Sequence, residues 1–302
     1  MKSLAWALAV FLAGASPASA EPVKVVASFS ILDNLVRQIG GEYVQVTSLV
    51  GPNGDAHTYQ PSPSDARHLA KAQLVVVNGL GFEGWLERLI KASGYSGKIV
   101  QASDEIPVVL DGEDTEESHG DHHHGAHDPH AWQNLANGKA YVENIARALA
   151  QIDAPHAQFY LKRSEEMAQD LEFLDKWVRE QIALVPVAKR SVITSHDAFG
   201  YFANAYGVQF TAPVGVSTEA EPSAKELVRL IQQIRNGGTR ALFLENMSDP
   251  KIMQQLVNET GAALGGKLYA DSLSDMKGPA STYQQMFRHN VTLLVKAMQG
   301  NR

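Results

Sequence analysis

Apolar residues recur along this chain with two different periods. Val23–Phe29, Tyr43–Val50, Leu74–Val77 and Lys98–Gln101 are short apolar runs with the length and branching of buried strands. Between them apolar positions return every three or four residues. Ile31, Leu32, Leu35, Val36 and Ile39 form one such helical set, closed by Gly40, and Ser64–Ala72 and Trp85–Lys91 form two more. This alternation predicts an α/β fold with a largely parallel sheet covered by helices. The second half repeats it. Strands are expected at Ser191–Ser195, Gln209–Pro213, Ala241–Leu244 and Lys267–Ala270. Ser223-Ala-Lys-Glu226 is a capping box that opens a helix, Asp249-Pro250 starts another that ends near Gly261, and Thr282–Met298 closes the chain.

From Pro155 to about Val185 one helical pattern runs without an internal Pro or Gly, carrying Met167, Leu171, Leu174, Val178 and Ile182 as a stripe. At about 1.5 Å per residue it would extend ~45 Å, long for a helix lying on one domain. The organisation expected is therefore two (β/α)-type lobes, residues 21–153 and 187–302, joined by one long rigid helix over 154–186. A long helix within a single domain is the alternative that periodicity leaves open.

The first twenty residues differ in kind. Lys2, the apolar run from Leu4 to Gly14 and the small-x-small triplet Ala18-Ser19-Ala20 read as a cleavable signal peptide. No later stretch reaches the ~18 uninterrupted apolar residues of a membrane helix. The net charge of -7 and the lack of a basic cluster argue against nucleic acid as a partner. The chain has no cysteine. It is thus expected to lack disulfides, to bind any metal through nitrogen and oxygen alone, and to carry no lipid anchor. A soluble, monomeric periplasmic protein fits these features.

The eleven histidines are clustered, with six between His119 and His130. Residues 111–128 are acidic and histidine-rich with almost no apolar residue, so a loop is expected there, with His119, His122, His123, His124 and His127 as an auxiliary metal-capture tract. A solvated insertion with incidental affinity is the plainer reading of that tract. His57 follows the strand ending at Val50, His196 ends the strand from Ser191, and Asp271 ends the strand at Ala270. In open α/β sheets ligands bind beyond the carboxyl ends of strands. Three metal-competent side chains on that edge, drawn from both halves, suggest a site in the cleft between lobes. His130 follows Pro129, which stiffens the backbone as a fixed ligand requires. His68 and His289 lie on helices and His156 beside Pro155, where ordinary roles suffice. Val216–Ser223 reads as a lid near His196.

Five motifs occur in order along the mature chain: His57-Thr-Tyr-Gln-Pro-Ser-Pro-Ser-Asp65, Asp128-Pro-His130-Ala-Trp132, Ser195-His196-Asp-Ala-Phe-Gly-Tyr-Phe202, Glu219-Ala-Glu-Pro-Ser-Ala-Lys225 and Ala270-Asp271-Ser-Leu. Together they resemble the periplasmic metal-binding proteins of zinc- and manganese-type ABC importers, most nearly the AztC-type zinc-binding proteins. The resemblance implies two lobes joined by a long helix, metal held between them by His57, His130, His196 and Asp271, and delivery to an importer permease, with a periplasmic metallochaperone as a further partner. Manganese members of the group carry a carboxylate where His196 stands. The histidine loop here is shorter than in many zinc members, and their disulfide is missing.

Three imidazoles and one carboxylate form a donor set that suits four-coordinate zinc(II), the expected cargo, better than manganese, which prefers more oxygen. Manganese or iron binding is the alternative. Four protein ligands leave no position for an activated water, so carriage is expected rather than catalysis. A secreted zinc hydrolase using Asp271 or Glu245 as base is the remoter reading, without a His-Glu-x-x-His or Gly-x-Ser-x-Gly motif to support it. An adhesin or a metal buffer is a third.

Overall fold

The computed structural model describes residues 21–109, 127–220, 222–236 and 241–300. The expected signal peptide and nearly all of the acid- and histidine-rich segment lie outside these residues. Strands β1 (Val23–Phe29), β2 (Val44–Val50), β3 (Leu74–Val77) and β4 (Lys98–Gln101) pair in parallel in the order β2-β1-β3-β4. Val25 of β1 sits between Val46 of β2 and Leu74 of β3, so the central strands carry apolar side chains across the whole sheet. Helices α1 (Ser30–Gly40), α2 (Pro63–Lys71), α3 (Leu86–Ser93) and α4 (Leu135–Ile152) belong to this half. Then comes α5 (Ala157–Ala183), preceded by a 3-10 turn over Ala154–His156.

The second half repeats the plan. β5 (Ser191–Ile193), β6 (Gln209–Thr211), β7 (Ala241–Glu245) and β8 (Ala263–Leu268) form a parallel sheet in the order β6-β5-β7-β8, with α6 (Gly200–Tyr206), α7 (Ala224–Arg235), α8 (Lys251–Thr260) and α9 (Tyr283–Met298). In each sheet the first strand lies between the second and third. The chain therefore leaves the sheet in opposite directions there, and a crevice opens beyond the carboxyl ends of β1 and β3, and again beyond β5 and β7.

Local chemistry explains most boundaries. Ser62 and Asp65 close a capping box on α2 with Pro63 at its first position, and Ser223 and Glu226 do the same for α7. α4 starts at Leu135, where the Asn134 side chain accepts from Ala136 N and caps it. Tyr43 belongs to a 3-10 turn, so β2 starts one residue later than its apolar run. The last strand departs furthest from expectation. β8 is Ala263–Leu268 rather than 267–270, and its centre is Gly265-Gly266. A Cβ on Gly265 would stand 2.5 Å from the Phe243 ring, and Gly266 has φ +125° at a register shift against β7, so only glycine serves there. Asp271 thus lies three residues beyond its strand.

α5 has 27 residues, about 40 Å at the helical rise. Its buried stripe is Tyr160, Met167, Leu171, Leu174, Val178 and Ile182, and it packs on α1, α4, α6 and α9. The helix is therefore seated on both halves. One continuous core includes Ile31 and Val75 of the first sheet's layers, the α5 stripe, and Phe202, Phe243 and Phe287 of the second half. A separate small cluster of Ile193, Leu230, Ile234, Leu242, Met253 and Leu256 holds α7 and α8 on the far face of the second sheet. Leu171 is fully buried at the middle of the stripe, so Leu171→Ala should cost about 2–5 kcal/mol of stability. Urea unfolding should show this as a lowered midpoint, without a change of cation stoichiometry.

Candidate metal centre

The loop after β2 delivers His57. Asn53 N donates to Leu273 O at 3.0 Å, Trp85 Nε1 to Ala56 O at 2.7 Å, and His57 N to Asp55 Oδ1 at 2.9 Å. Asn53 takes φ +58° to make this turn, a conformation that asparagine tolerates better than most residues. A relay inside the first lobe places His130. The buried Glu83 carboxylate accepts from Ser28 Oγ and Asn78 N, both at 2.6 Å, and Asn78 Nδ2 donates to Pro129 O at 2.8 Å. In the second lobe, Ser195 N and His196 N both donate to Glu245 Oε1, at 2.8 and 3.0 Å, which fastens the chain after β5 to the end of β7. Asp271 follows β8 in a segment whose Leu273 N donates to Ser30 Oγ at 2.9 Å.

These four loops bring His57, His130, His196 and Asp271 together, with one ligand atom of each lying within 4.8 Å of all the others. His196 Nε2 is 3.0 Å and His57 Nε2 3.3 Å from Asp271 Oδ2. His130 Nε2 is 3.5 Å from Oδ1, and the His57 and His130 Nε2 atoms are 3.4 Å apart. A tetrahedral ion with bonds of ~2.0–2.2 Å needs ligand atoms about 3.3–3.6 Å apart. The side chains are sealed from water: His57 is 6% exposed and the other three 1% or less. His196 Nε2 and both Asp271 oxygens are buried without a hydrogen bond. Such groups are rare, because desolvation without a partner is costly. Their common direction is the centre of the four, where a cation would satisfy all of them.

The far nitrogens are held. His130 Nδ1 faces Asp128 Oδ1 at 2.8 Å, and that oxygen also accepts His130 N at 2.9 Å. His196 Nδ1 pairs with Glu245 Oε2. A carboxylate behind a histidine fixes the tautomer, turns Nε2 inward and raises its basicity. Burial opposes charge on His130, but Asp271 and Asp128 outweigh it and push the imidazole up to about 9. His196 is likewise lifted well above the ordinary histidine value against its burial, by Glu245 and Asp271. Burial would raise Asp271, yet His196 and His130 hold it well below the usual carboxylate range.

Other expected residues are scattered. His127 is exposed and, with Glu219, lines a cavity that reaches His57; His119, His122, His123 and His124 lie outside the described residues. His156 stacks on Tyr43 with ring centroids 3.9 Å apart and pairs with Asp153, His289 Nε2 lies 2.9 Å from Lys267 O, and His68 sits on α2 away from the centre. Ser195 Oγ accepts from Glu245 N, and both ring nitrogens of His196 face carboxylates, so the two form no dyad. The segment after Val216 crosses the cleft mouth, where Thr218 Oγ1 donates to Asp55 Oδ2 at 2.7 Å; residue 221 lies outside the described residues. The role of Asp128 behind His130 escapes the sequence reading, as does that of Glu245 behind His196. The signal for Asp128 is its position two residues before a histidine, across a proline. Glu245 stands 49 residues from His196 and gives none.

Comparison with known proteins places the chain in a family. The family described as "Zinc-uptake complex component A periplasmic" (ZnuA) matches residues 25–297. The manganese-binding lipoprotein MntA of Halalkalibacterium halodurans is 31% identical over 278 residues, spanning 92% of this chain and 89% of the relative. The iron-binding protein YfeA of Yersinia pestis is 31% identical over 279 residues, spanning 92% and 87%. The solved structure of the periplasmic zinc-binding protein TroA from Treponema pallidum superposes with a TM-score of 0.83 at 27% identity, covering 92% of this chain and 99% of that one.

Two outcomes are expected at this centre. Glu245→Gln removes the charge behind His196 and should weaken cation binding about 10- to 100-fold, as measured by competition with a chromogenic chelator. The second concerns pH. His130 is raised in the folded, cation-free protein, so the stability it contributes is complete below the unfolded value of about 6.5 and is lost as pH rises through about 9. Cation binding needs the deprotonated rings, so it strengthens over the same window. The melting-temperature gap between loaded and cation-free protein should therefore widen from pH 6.5 to 9. A constant gap in differential scanning calorimetry would contradict this assignment.

Proposed function

The chain belongs to the ZnuA family of periplasmic metal-binding proteins that serve ABC importers, and from that premise we propose that its cargo is zinc(II), held by His57, His130, His196 and Asp271. It is a solute-binding protein and not an enzyme, as its relatives are. The observation that carries the zinc reading is the donor set. Three buried imidazole nitrogens and a carboxylate converge, with neighbouring ligand atoms 3.0–3.5 Å apart, close to what a small four-coordinate ion needs. Imidazole suits zinc, whereas manganese and calcium-like ions prefer oxygen. Copper and nickel also accept this set, and their exclusion rests on supply rather than on affinity.

A second reading has an observation of its own. Asp271 turns Oδ2 toward His57 and His196 and Oδ1 toward His130, so both of its oxygens border the centre. A carboxylate that binds through both oxygens would make the site five-coordinate, which manganese or iron accepts. The names of the relatives MntA and YfeA point the same way for those proteins.

The remaining parts of the proposal follow from the sequence. A lobe over 21–153 and a lobe over 187–302, joined through 154–186, close on the metal and present it to the permease. The protein works as a monomer, free in the periplasm after removal of residues 1–20. MntA is a lipoprotein, but this chain has no cysteine to carry a lipid. It resembles the AztC-type zinc carriers, a periplasmic metallochaperone is a source of its metal, and His119, His122, His123, His124 and His127 raise the local metal concentration beside the cleft.

The test is metal content. Purified mature protein offered equal zinc and manganese should retain one zinc per chain by mass spectrometry of the native protein, and His196→Ala should lose at least about 100-fold in zinc affinity. Retention of manganese over zinc would favour the five-coordinate reading.

A further inference from the structure

Asp271 poses a positioning problem. It is fully buried, and neither of its side-chain oxygens accepts a hydrogen bond. In most buried carboxylates such bonds fix the rotation and place of the group. Here the orientation has to come through the main chain. The peptide that leads into Asp271 begins at the carbonyl of Ala270, itself fully buried. That oxygen accepts two side-chain donors from the other half of the chain, Trp132 Nε1 at 2.9 Å and Gln133 Nε2 at 2.8 Å. A carbonyl has two lone pairs, and both are used.

We propose that Gln133 and Trp132 are positioning residues for the metal: by converging on the Ala270 carbonyl they preset Asp271 against His130 before any cation arrives. The inference rests on the reading of these side chains as the cargo site. Trp132 and Gln133 follow His130 by two and three residues in one 3-10 turn, and Gln133 N donates back to His130 O at 3.0 Å. The clamp therefore joins the backbone that carries one ligand to the backbone that carries another. The turn is itself fastened, since Trp132 O accepts from Tyr283 OH and the Trp132 ring packs among Phe29, Phe82 and His130.

The surroundings of the four side chains agree. His196 lines a cavity of about 490 Å³ beside Met247 and Met253, and His57 lines one of about 300 Å³ beside Phe82 and His127. Neither His130 nor Asp271 lines either of these two cavities. The centre thus divides into a fixed pair, His130 and Asp271, and two side chains with room beside them. A pair set at the right spacing spares the cation the entropy of ordering it, and this kind of preorganisation acts mainly on how long a ligand stays bound.

Gln133→Met keeps the length of the side chain and removes the donor, and Trp132→Phe removes the indole N–H together with part of a buried ring, so the first variant carries the test and the second supports it. Each is measured for zinc dissociation by stopped flow against excess chelator, for the visible absorption of the cobalt(II)-substituted protein, and for the melting of the cation-free protein. The expected result for each is dissociation about three- to tenfold faster, the equivalent of one hydrogen bond. The cobalt bands should weaken or shift as the site departs from tetrahedral, while cation-free melting moves little in Gln133→Met and falls in Trp132→Phe through the lost packing. Wild-type dissociation rates and cobalt spectra in both variants would overturn the positioning role, as would a fall in cation-free melting with dissociation unchanged, which marks a purely structural bond. A wild-type protein that retains neither zinc nor cobalt overturns the cargo reading beneath it, and the two failures are thereby told apart.

Discussion

An ionised carboxylate buried without a single hydrogen-bond donor is the constraint on which this molecule turns. Removing such a group from water costs several kcal/mol even after relaxation, and the cost is met only by opposite charge at close range. Asp271 is in that state, and the groups around it are three imidazole nitrogens. Two protons or one divalent cation can balance the centre, and the two compete for the same nitrogens. The backing carboxylates sharpen the competition. Asp128 and Glu245 make His130 and His196 better bases, which strengthens a bond to metal and a bond to a proton alike. At such a centre a cation gains on the proton as pH rises and loses to it on acidification.

The fold exists to keep that centre in register. Each ligand stands on a loop, where backbone freedom is greatest, and each loop is tied where it matters. Glu245 takes two amides beside His196, Asn78 takes the carbonyl before His130, and Ala56 O is held by Trp85 beside His57. None of these ties is a ligand. They turn a crevice at two strand switch points into a cage with the spacing of a small ion.

Much of the fold was legible because it depends on short-range pattern. Seven of the eight strands stand where apolar runs bounded by turn residues put them, within a residue or two, and the stripe from Met167 to Ile182 is buried on α5 as its spacing implies. β8 was misplaced because its centre is Gly265-Gly266, which carries no apolar signal; those glycines answer to the Phe243 ring on the neighbouring strand, a contact that periodicity does not encode. The centre divides in the same way. His57, His196 and Asp271 could be picked out by their place after strands, and His130 through its motif. Glu245 could not be assigned as a partner, because a polar pair 49 residues apart is a property of the packed sheet, whereas Asp128, two residues before His130, was within reach of the sequence. The donors on Ala270 are 137 and 138 residues away in sequence and were equally hidden.

The same architecture bears on how a bound ion would leave. One core runs from the first sheet through α5 to α9, so parting the two halves as rigid bodies would expose apolar surface at about 25 cal/mol for every Å² uncovered. The layer of α7 and α8 is held apart from it by a cluster of six buried side chains. His196 belongs on that side of the molecule, bonded to the end of β7 and bordering the larger cavity. His130 and Asp271 lie at the other extreme, against the continuous core and clamped to one another. β5 and β7 lie between the two clusters, with Val192 and Phe243 in the continuous core and Ile193 and Leu242 in the smaller one, so moving whole strands would break that core as well, and release falls to the loop that carries His196. Loss of His196 as a ligand would leave the ion with fewer donors, and a proton on the freed Nε2, with Glu245 stabilising the charged ring from Nδ1, works against its return.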